Sequence, residues 1–94
     1  MYVLKLTIRG KVQGVGYRRW FEQHAKSLGL KGYVKNLANG CVEAVVLGHK
    51  HAIDAIMGCT IHEAPVKGKV DEVLYEDVTT EAKRLYTDFQ IVRD

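Results

Sequence analysis

Apolar and polar residues alternate along the first stretch of the chain, from about Tyr2 to Gly10. Leu4, Leu6 and Ile8 fall on one side and Lys5, Thr7 and Arg9 on the other, the period-two pattern of a half-buried strand. From Tyr17 or Arg18 to Leu28 the apolar spacing changes to three and four. Phe21, Ala25 and Leu28 then share one face, predicting an amphipathic helix that Gly29 ends. Trp20 flanks that face and reads as core or rim packing. A second strand is expected over Lys31–Asn36, followed by Asn39-Gly40, the strongest hairpin signal in the chain. The third strand, Gly40–Leu47, places Val42, Ala44 and Val46 on one side and is expected to turn Glu43 outward, with no chemical role. Helix two is expected over about Lys50–Cys59, with Ile53, Ile56 and Met57 as its core stripe. After Pro65 a fourth strand is expected over Lys67–Tyr75, where Val70 and Val73 break the alternation and predict a bulge or a strand end. Residues 79–88 fit either a helical turn through Ala82, Leu85 and Tyr86 or a loop. Phe89–Val92 adds a short closing strand.

This order, βαββαβ plus a terminal strand, implies two right-handed crossovers with a hairpin between them. The expected class is α+β: a ferredoxin-like sandwich of a four-stranded antiparallel sheet with two helices on one face. No repeat, linker or low-complexity run interrupts it, so residues 1–94 read as a single domain. A hydrophobic content of 47% can furnish one core without staples. Fold alone assigns no function, because unrelated domains share it.

The richest chemistry lies between strand one and helix one, in Gly10-Lys11-Val12-Gln13-Gly14-Val15-Gly16-Tyr17-Arg18. Glycines that accept φ > 0 can aim successive N–H groups into one concavity. A helix start adds unpaired N–H groups and a positive dipole end. Arg18 adds a permanently charged fork of donors suited to two oxygens of one phosphate. A tight strand-to-helix turn with an incidental arginine uses the same glycines, so the loop alone leaves both readings open. Other phosphate signatures are missing. Glu63 stands where Gly68-Lys69 would need a Walker-type glycine, and Gly10, Gly14 and Gly16 do not fit G-x-G-x-x-G. Leu47 and Pro65, six positions after Cys41 and Cys59, are not arginine, which leaves a cysteinyl phosphoenzyme unsupported.

Charge narrows the partners. The net charge of +3 arises from 14 basic and 11 acidic residues; it favours an anionic ligand without the dense basic stripe of a nucleic-acid binder. Lys11, Arg18, Arg19 and Lys35 gather around the loop and strand two. Lys11 and Lys35 individually read as solvated surface lysines. Strand one offers Val3, Lys5, Thr7 and Arg9 on its outer side, and strand three Cys41, Glu43, Val45 and Leu47. Neither presents the aromatic platform of an RNA-recognition domain. No run is long enough to span a membrane and no signal-peptide pattern opens the chain. Two cysteines make no disulfide framework, and reduced thiols in a cytoplasmic protein are expected. His49 and His51 lack metal-ligand spacing, and His24 and His62 have no partnered Cys or acid. No metal or cofactor is expected.

A second segment settles the loop's reading. Gly32-Tyr33-Val34-Lys35-Asn36, then Asn39-Gly40 and Gly48, repeat a glycine, aromatic, apolar, basic, asparagine pattern with later glycines at compatible spacing. With the Val12-Gln13-Gly14 and Arg18 of the loop, these residues resemble the acylphosphatase family across roughly a quarter of the chain. Tyr17 stands where that family usually has phenylalanine, and Ala64-Pro65 where Gly-Pro is common; neither departure touches the matching catalytic pair. The resemblance also favours a loop for residues 79–88.

The resemblance implies hydrolysis of an acyl phosphate to a carboxylate and inorganic phosphate. By the same match Arg18 is the phosphate-binding arginine and Asn36 the residue that orients water. The backbone N–H groups of Gln13, Gly14, Val15, Gly16, Tyr17 and Arg18 cradle the phosphoryl oxygens. Its expected partners are a small-molecule acyl phosphate and, as competitors, phosphate or sulfate, with no nucleic acid, no membrane and a monomeric state. No side chain reads as a general base. A carboxylate leaves readily, so positioning and electrostatic stabilisation can carry most of the catalysis.

Overall fold

A computed structural model of the chain describes residues 1–81 and 86–93. Its elements run β1 (Tyr2–Lys11), α1 (Tyr17–Ser27), β2 (Lys31–Asn36), β3 (Val42–Gly48), α2 (Lys50–His62), β4 (Lys69–Asp77) and β5 (Phe89–Val92). The strands form one sheet in the order β4-β1-β3-β2-β5. Four are antiparallel to their neighbours, and β5 lies parallel to β2 at one edge. The βαββαβ order and the closing strand are therefore as the apolar pattern predicts. Of the turn considered through Ala82, Leu85 and Tyr86, the first two lie outside the described residues.

Side-chain alternation divides the sheet into two faces. Leu6 and Ile8 of β1, Val34 of β2 and Val42, Ala44 and Val46 of β3 pack with Phe21 and Ala25 of α1 and Ile53 and Ile56 of α2. Phe21 is wholly buried against Phe89, with ring centroids 5.8 Å apart, which fastens the closing strand to the core. A buried side chain of that size contributes about 1.5–3 kcal/mol. Trp20 packs as expected, its ring 5.3 Å from Tyr17 and 4.4 Å from His24.

The opposite face carries a smaller apolar cluster of Val3, Val45 and Leu47, against which Tyr33, Val78 and Tyr86 pack. Glu43 does point to this face, yet it is buried there. Its carboxylate accepts the Tyr33 hydroxyl at 2.8 Å and lies 3.6 Å from Lys5 Nζ and 3.5 Å from Lys35 Nζ. Burial by itself raises the carboxyl; the Tyr33 bond and the two lysines together outweigh it and hold Glu43 below its ordinary value.

Three elements have limits other than those expected. Strand β3 spans Val42–Gly48 rather than Gly40–Leu47, because Gly40 and Cys41 belong to the β2–β3 turn. Helix α2 runs on to His62, past the expected stop at Cys59, because Thr60-Ile61-His62 holds no breaker and Thr60 bonds back to the Ile56 carbonyl at 2.7 Å. Strand β4 is displaced by two residues and carries the bulge: Arg9 faces Glu72 while Gly10 faces Val70, leaving Asp71 unmatched. A Cβ at Gly10 would collide with the Lys69 carbonyl, so this close approach requires glycine. Cys41 and Cys59 are free thiols. Among the described residues no helix is long and apolar enough to cross a membrane.

Candidate active site

Strands β1 and β2 both pair antiparallel with β3, so their C-terminal ends reach the same edge of the sheet. Ile8, Val42 and Asn36 form one row across it. Ile8 and Val42 face the helices, and so does Asn36 by register. The β1–α1 loop and the end of β2 thus meet where α1 begins.

In that loop Val12 is buried and anchors the exit from β1. Gly14 (φ 74°) and Gly16 (φ 77°) both adopt left-handed conformations that other residues take only with strain. Gly16 is the N-cap of α1, and without a side chain it supplies no capping oxygen. No acidic residue occupies the first helical turn. Among the described residues, the N–H groups of Gln13, Gly14, Val15 and Gly16 donate to no protein acceptor. Those of Tyr17 and Arg18 belong to the first turn, where no intrahelical carbonyl is available. Such a donor array, at the positive end of a helix, has the chemistry of an oxyanion site.

The Gln13 side chain performs a task its motif does not reveal. Its Nε2 donates to the Leu37 and Cys41 carbonyls, each at 2.9 Å. One amide therefore ties the loop to the β2–β3 turn directly after Asn36. The turn itself is held by Leu37 N–H to Cys41 O at 2.8 Å and Cys41 N–H to Asn39 Oδ1 at 3.0 Å, with Gly40 at φ 91°.

Arg18 leaves the first turn of α1 and donates from Nη1 to the Val92 carbonyl at 3.4 Å. Val92 is paired with Lys35, the neighbour of Asn36, so Arg18 reaches the level of the β2 end. Asn36 Oδ1 is buried and meets no hydrogen-bond donor among the described residues. A buried acceptor of this kind is rare and calls for a partner. Lys35 is excluded from the site: it lies on the opposite face beside Glu43. Arg93 was not singled out by the sequence motifs, yet it joins Arg18 and Arg19 around one groove; a basic residue just beyond the closing strand is its only linear signal. A separate cavity of about 130 Å³ between β2 and β5, bordered by Tyr33, Tyr86 and Gln90, contains no residue of the 13–18 loop. The described residues hold no cluster of three or more His, Cys, Asp or Glu placed to bind a metal ion.

Tyr17 contributes a backbone N–H to the loop while its ring lies in the core, 1% exposed. Burial pushes its hydroxyl well above the ordinary tyrosine value, and the oxygen has no hydrogen-bond partner among the described residues. Removing a buried, unpartnered hydroxyl recovers about 1 kcal/mol or more. Tyr17→Phe is accordingly expected to raise the melting temperature by about 4–8 °C. A Tm at or below wild type would show that the hydroxyl is satisfied in solution.

The sequence profile of the acylphosphatase family matches residues 4–91. An acylphosphatase of Bradyrhizobium diazoefficiens is 43% identical over 75 residues, covering 79% of this chain and 74% of its own. One from Azorhizobium caulinodans is 38% identical over 90 residues, covering 96% and 94%. The crystal structure of acylphosphatase from Bacillus subtilis superposes with a TM-score of 0.88 at 26% identity, covering 99% of this chain and all of the other. With both the profile and the relatives spanning most of its length, the chain belongs to the acylphosphatase family.

Proposed function

We propose that the protein hydrolyses acyl phosphates to a carboxylate and inorganic phosphate, as a monomeric cytoplasmic enzyme of one domain that needs no metal ion. Family membership supports the reaction class. The observation that carries the site assignment is the run of unpartnered N–H groups from Gln13 to Arg18, next to Arg18 itself and level with Asn36.

In this reading the loop N–H groups and the Arg18 guanidinium hold the phosphoryl oxygens and stabilise the charge that develops on them. The Asn36 amide holds a water in line with phosphorus. A bond forms from the water oxygen to phosphorus, and the bond from phosphorus to the acyl oxygen breaks. The carboxylate departs with that electron pair, and the water proton passes to a phosphoryl oxygen to give dihydrogen phosphate. A proton acceptor on the substrate explains how the site can work without a general base. Gln13 keeps the two halves in register, because its two bonds join the loop to the residue after Asn36.

The test is a rate measurement on benzoyl phosphate with a phosphate monoester as control, each with and without EDTA. Rapid hydrolysis of the acyl phosphate alone, unchanged by chelator, is the expected result. Phosphate or sulfate should compete with substrate and raise the Tm, as any ligand of the native state does. Complete inactivation by EDTA, reversed by Mg²⁺ or Zn²⁺, would sink the mechanism, since the metal would then bind phosphate and activate water.

A further inference from the structure

Among the described residues Glu43 is the only charged residue that is buried, at 8% exposure, and the hydrolytic steps make no use of it. Burying a carboxylate is costly unless partners compensate it. Its partners come from the two strands that flank β3. Tyr33 and Lys35 of β2 meet Oε2 at 2.8 and 3.5 Å, and Lys5 of β1 lies 3.6 Å from Oε1. The Lys35 ammonium also lies 5.7 Å from the centre of the Tyr33 ring. One carboxylate thus ties β1, β2 and β3 together on the face away from the helices.

The tie lies directly behind Asn36. Lys35 is the cross-strand partner of Glu43, and Asn36 is that of Val42. The two pairs are successive rungs of one ladder, with their side chains on opposite faces. On its other side β2 pairs with β5 as far as Lys35, opposite Val92. Among the described residues, Asn36 therefore has its strand partner on β3 alone, and the preceding rung steadies it. Gln13 holds the turn that follows Asn36, whereas Glu43 holds the residue that precedes it. The Lys35 rung also carries Val92, whose carbonyl accepts the Arg18 bond.

We propose that Glu43 is a positioning residue: through Lys35 and Tyr33 its carboxylate fixes the end of β2, so that the Asn36 amide holds the attacking water in line. The proposal rests on the hydrolytic reading above and adds to it a side chain that touches neither substrate nor water. Although burial raises the carboxyl, the Tyr33 bond and the two lysines hold it below its ordinary value, so the charge is present at neutral pH. Without that charge Lys35 loses the anion that orders its side chain, and the last rungs of β2 keep their backbone bonds alone. A small shift of the Asn36 amide then reaches the water directly, because rates fall steeply with misplacement. The phosphate loop hangs from β1 and α1, so binding is spared and the loss falls on kcat.

The experiment starts from Glu43→Gln, which keeps the size and can still accept the Tyr33 hydroxyl. Assayed on benzoyl phosphate well below its Tm, this variant should lose about 3–10-fold in kcat, less than outright removal of the water-placing group. Its KM and its Kd for inorganic phosphate should stay within about 2-fold of wild type, the signature of a loss confined to the transition state. In an Asn36→Ala background the same substitution should change kcat by less than about 2-fold, because neighbours acting through one group are not additive. Lys35→Met removes the ammonium, keeps the apolar stem and should reproduce the kcat loss. Its side chain is 37% exposed, so this second variant carries the test should Glu43→Gln fail to fold. A folded variant with a lowered Tm and wild-type kcat would overturn the proposal, leaving Glu43 a purely structural role. An equal loss in the Asn36→Ala background would overturn it too, as would a rise in KM at constant kcat. Failure of the wild-type protein to hydrolyse benzoyl phosphate would instead overturn the hydrolytic reading, and the positioning role with it.

Discussion

Arg18→Ala is expected to lower kcat/KM on benzoyl phosphate by at least ~100-fold while the protein stays folded. Removing one preorganised donor from a developing negative charge typically costs a factor of this size. The fold should tolerate the change, because among the described residues the Arg18 guanidinium makes one long hydrogen bond, 3.4 Å, to the Val92 carbonyl. Arg18→Lys should recover little. Lysine keeps the charge but replaces a planar fork with a single point donor, which cannot span two phosphoryl oxygens at fixed geometry. Stabilisation by added phosphate supplies a second readout independent of turnover. The rise in Tm should be large in wild type and strongly reduced in Arg18→Ala. Wild-type kcat/KM in the alanine variant would remove Arg18 from the site.

Asn36 separates two mechanisms. If its amide places the water, Asn36→Ala should cut kcat by roughly 100-fold or more and change phosphate affinity much less, the signature of an interaction realised in the transition state. Asn36→Asp preserves the shape but exchanges an N–H₂ donor for a charge. The structure adds a second reason to expect a poor enzyme. The Oδ1 position is buried and no donor among the described residues meets it, so a carboxylate there is desolvated without compensation and also faces an anionic substrate. At neutral pH the aspartate variant should be no better than alanine. Lowering the pH protonates the carboxyl and removes the repulsion, so its activity relative to wild type should rise as pH falls. A faster Asn36→Asp enzyme at neutral pH would show that proton removal, rather than water placement, limits the reaction.

The elements most legible in the linear chain were those with strong local signals. The alternation of Leu4, Leu6 and Ile8 and the helical spacing of Phe21, Ala25 and Leu28 marked β1 and α1. Asn39-Gly40 marked the hairpin. The limits of α2 and β4 were less legible because nothing local stops them where the spacing suggested. The α2 helix continues until the chain turns extended at Glu63, and β4 takes its register from β1 across the Arg9/Gly10 bulge. Glu43 shows the same limit. Alternation places it on the outer face, but only pairing with β2 and β1 brings Tyr33, Lys35 and Lys5 around it.

For the site, the residue types and the loop chemistry were in the sequence by itself. The glycines at 14 and 16, the helix start without an acid and the Arg18 and Asn36 motif positions need only short-range order to be read. What they lack is distance. Gln13 lies 24 residues from Leu37 and 28 from Cys41 in sequence, and its amide reaches both. Arg18 meets a carbonyl 74 residues away. Those contacts exist because β3 runs between β1 and β2 and β5 closes on β2 in parallel. Local pattern determined which segments are strands and helices and which carry the residue types proposed to meet an anion. Strand order and register, which depend on burying one common apolar face, decided that the loop, Asn36 and the Arg19–Arg93 groove share one edge of the sheet.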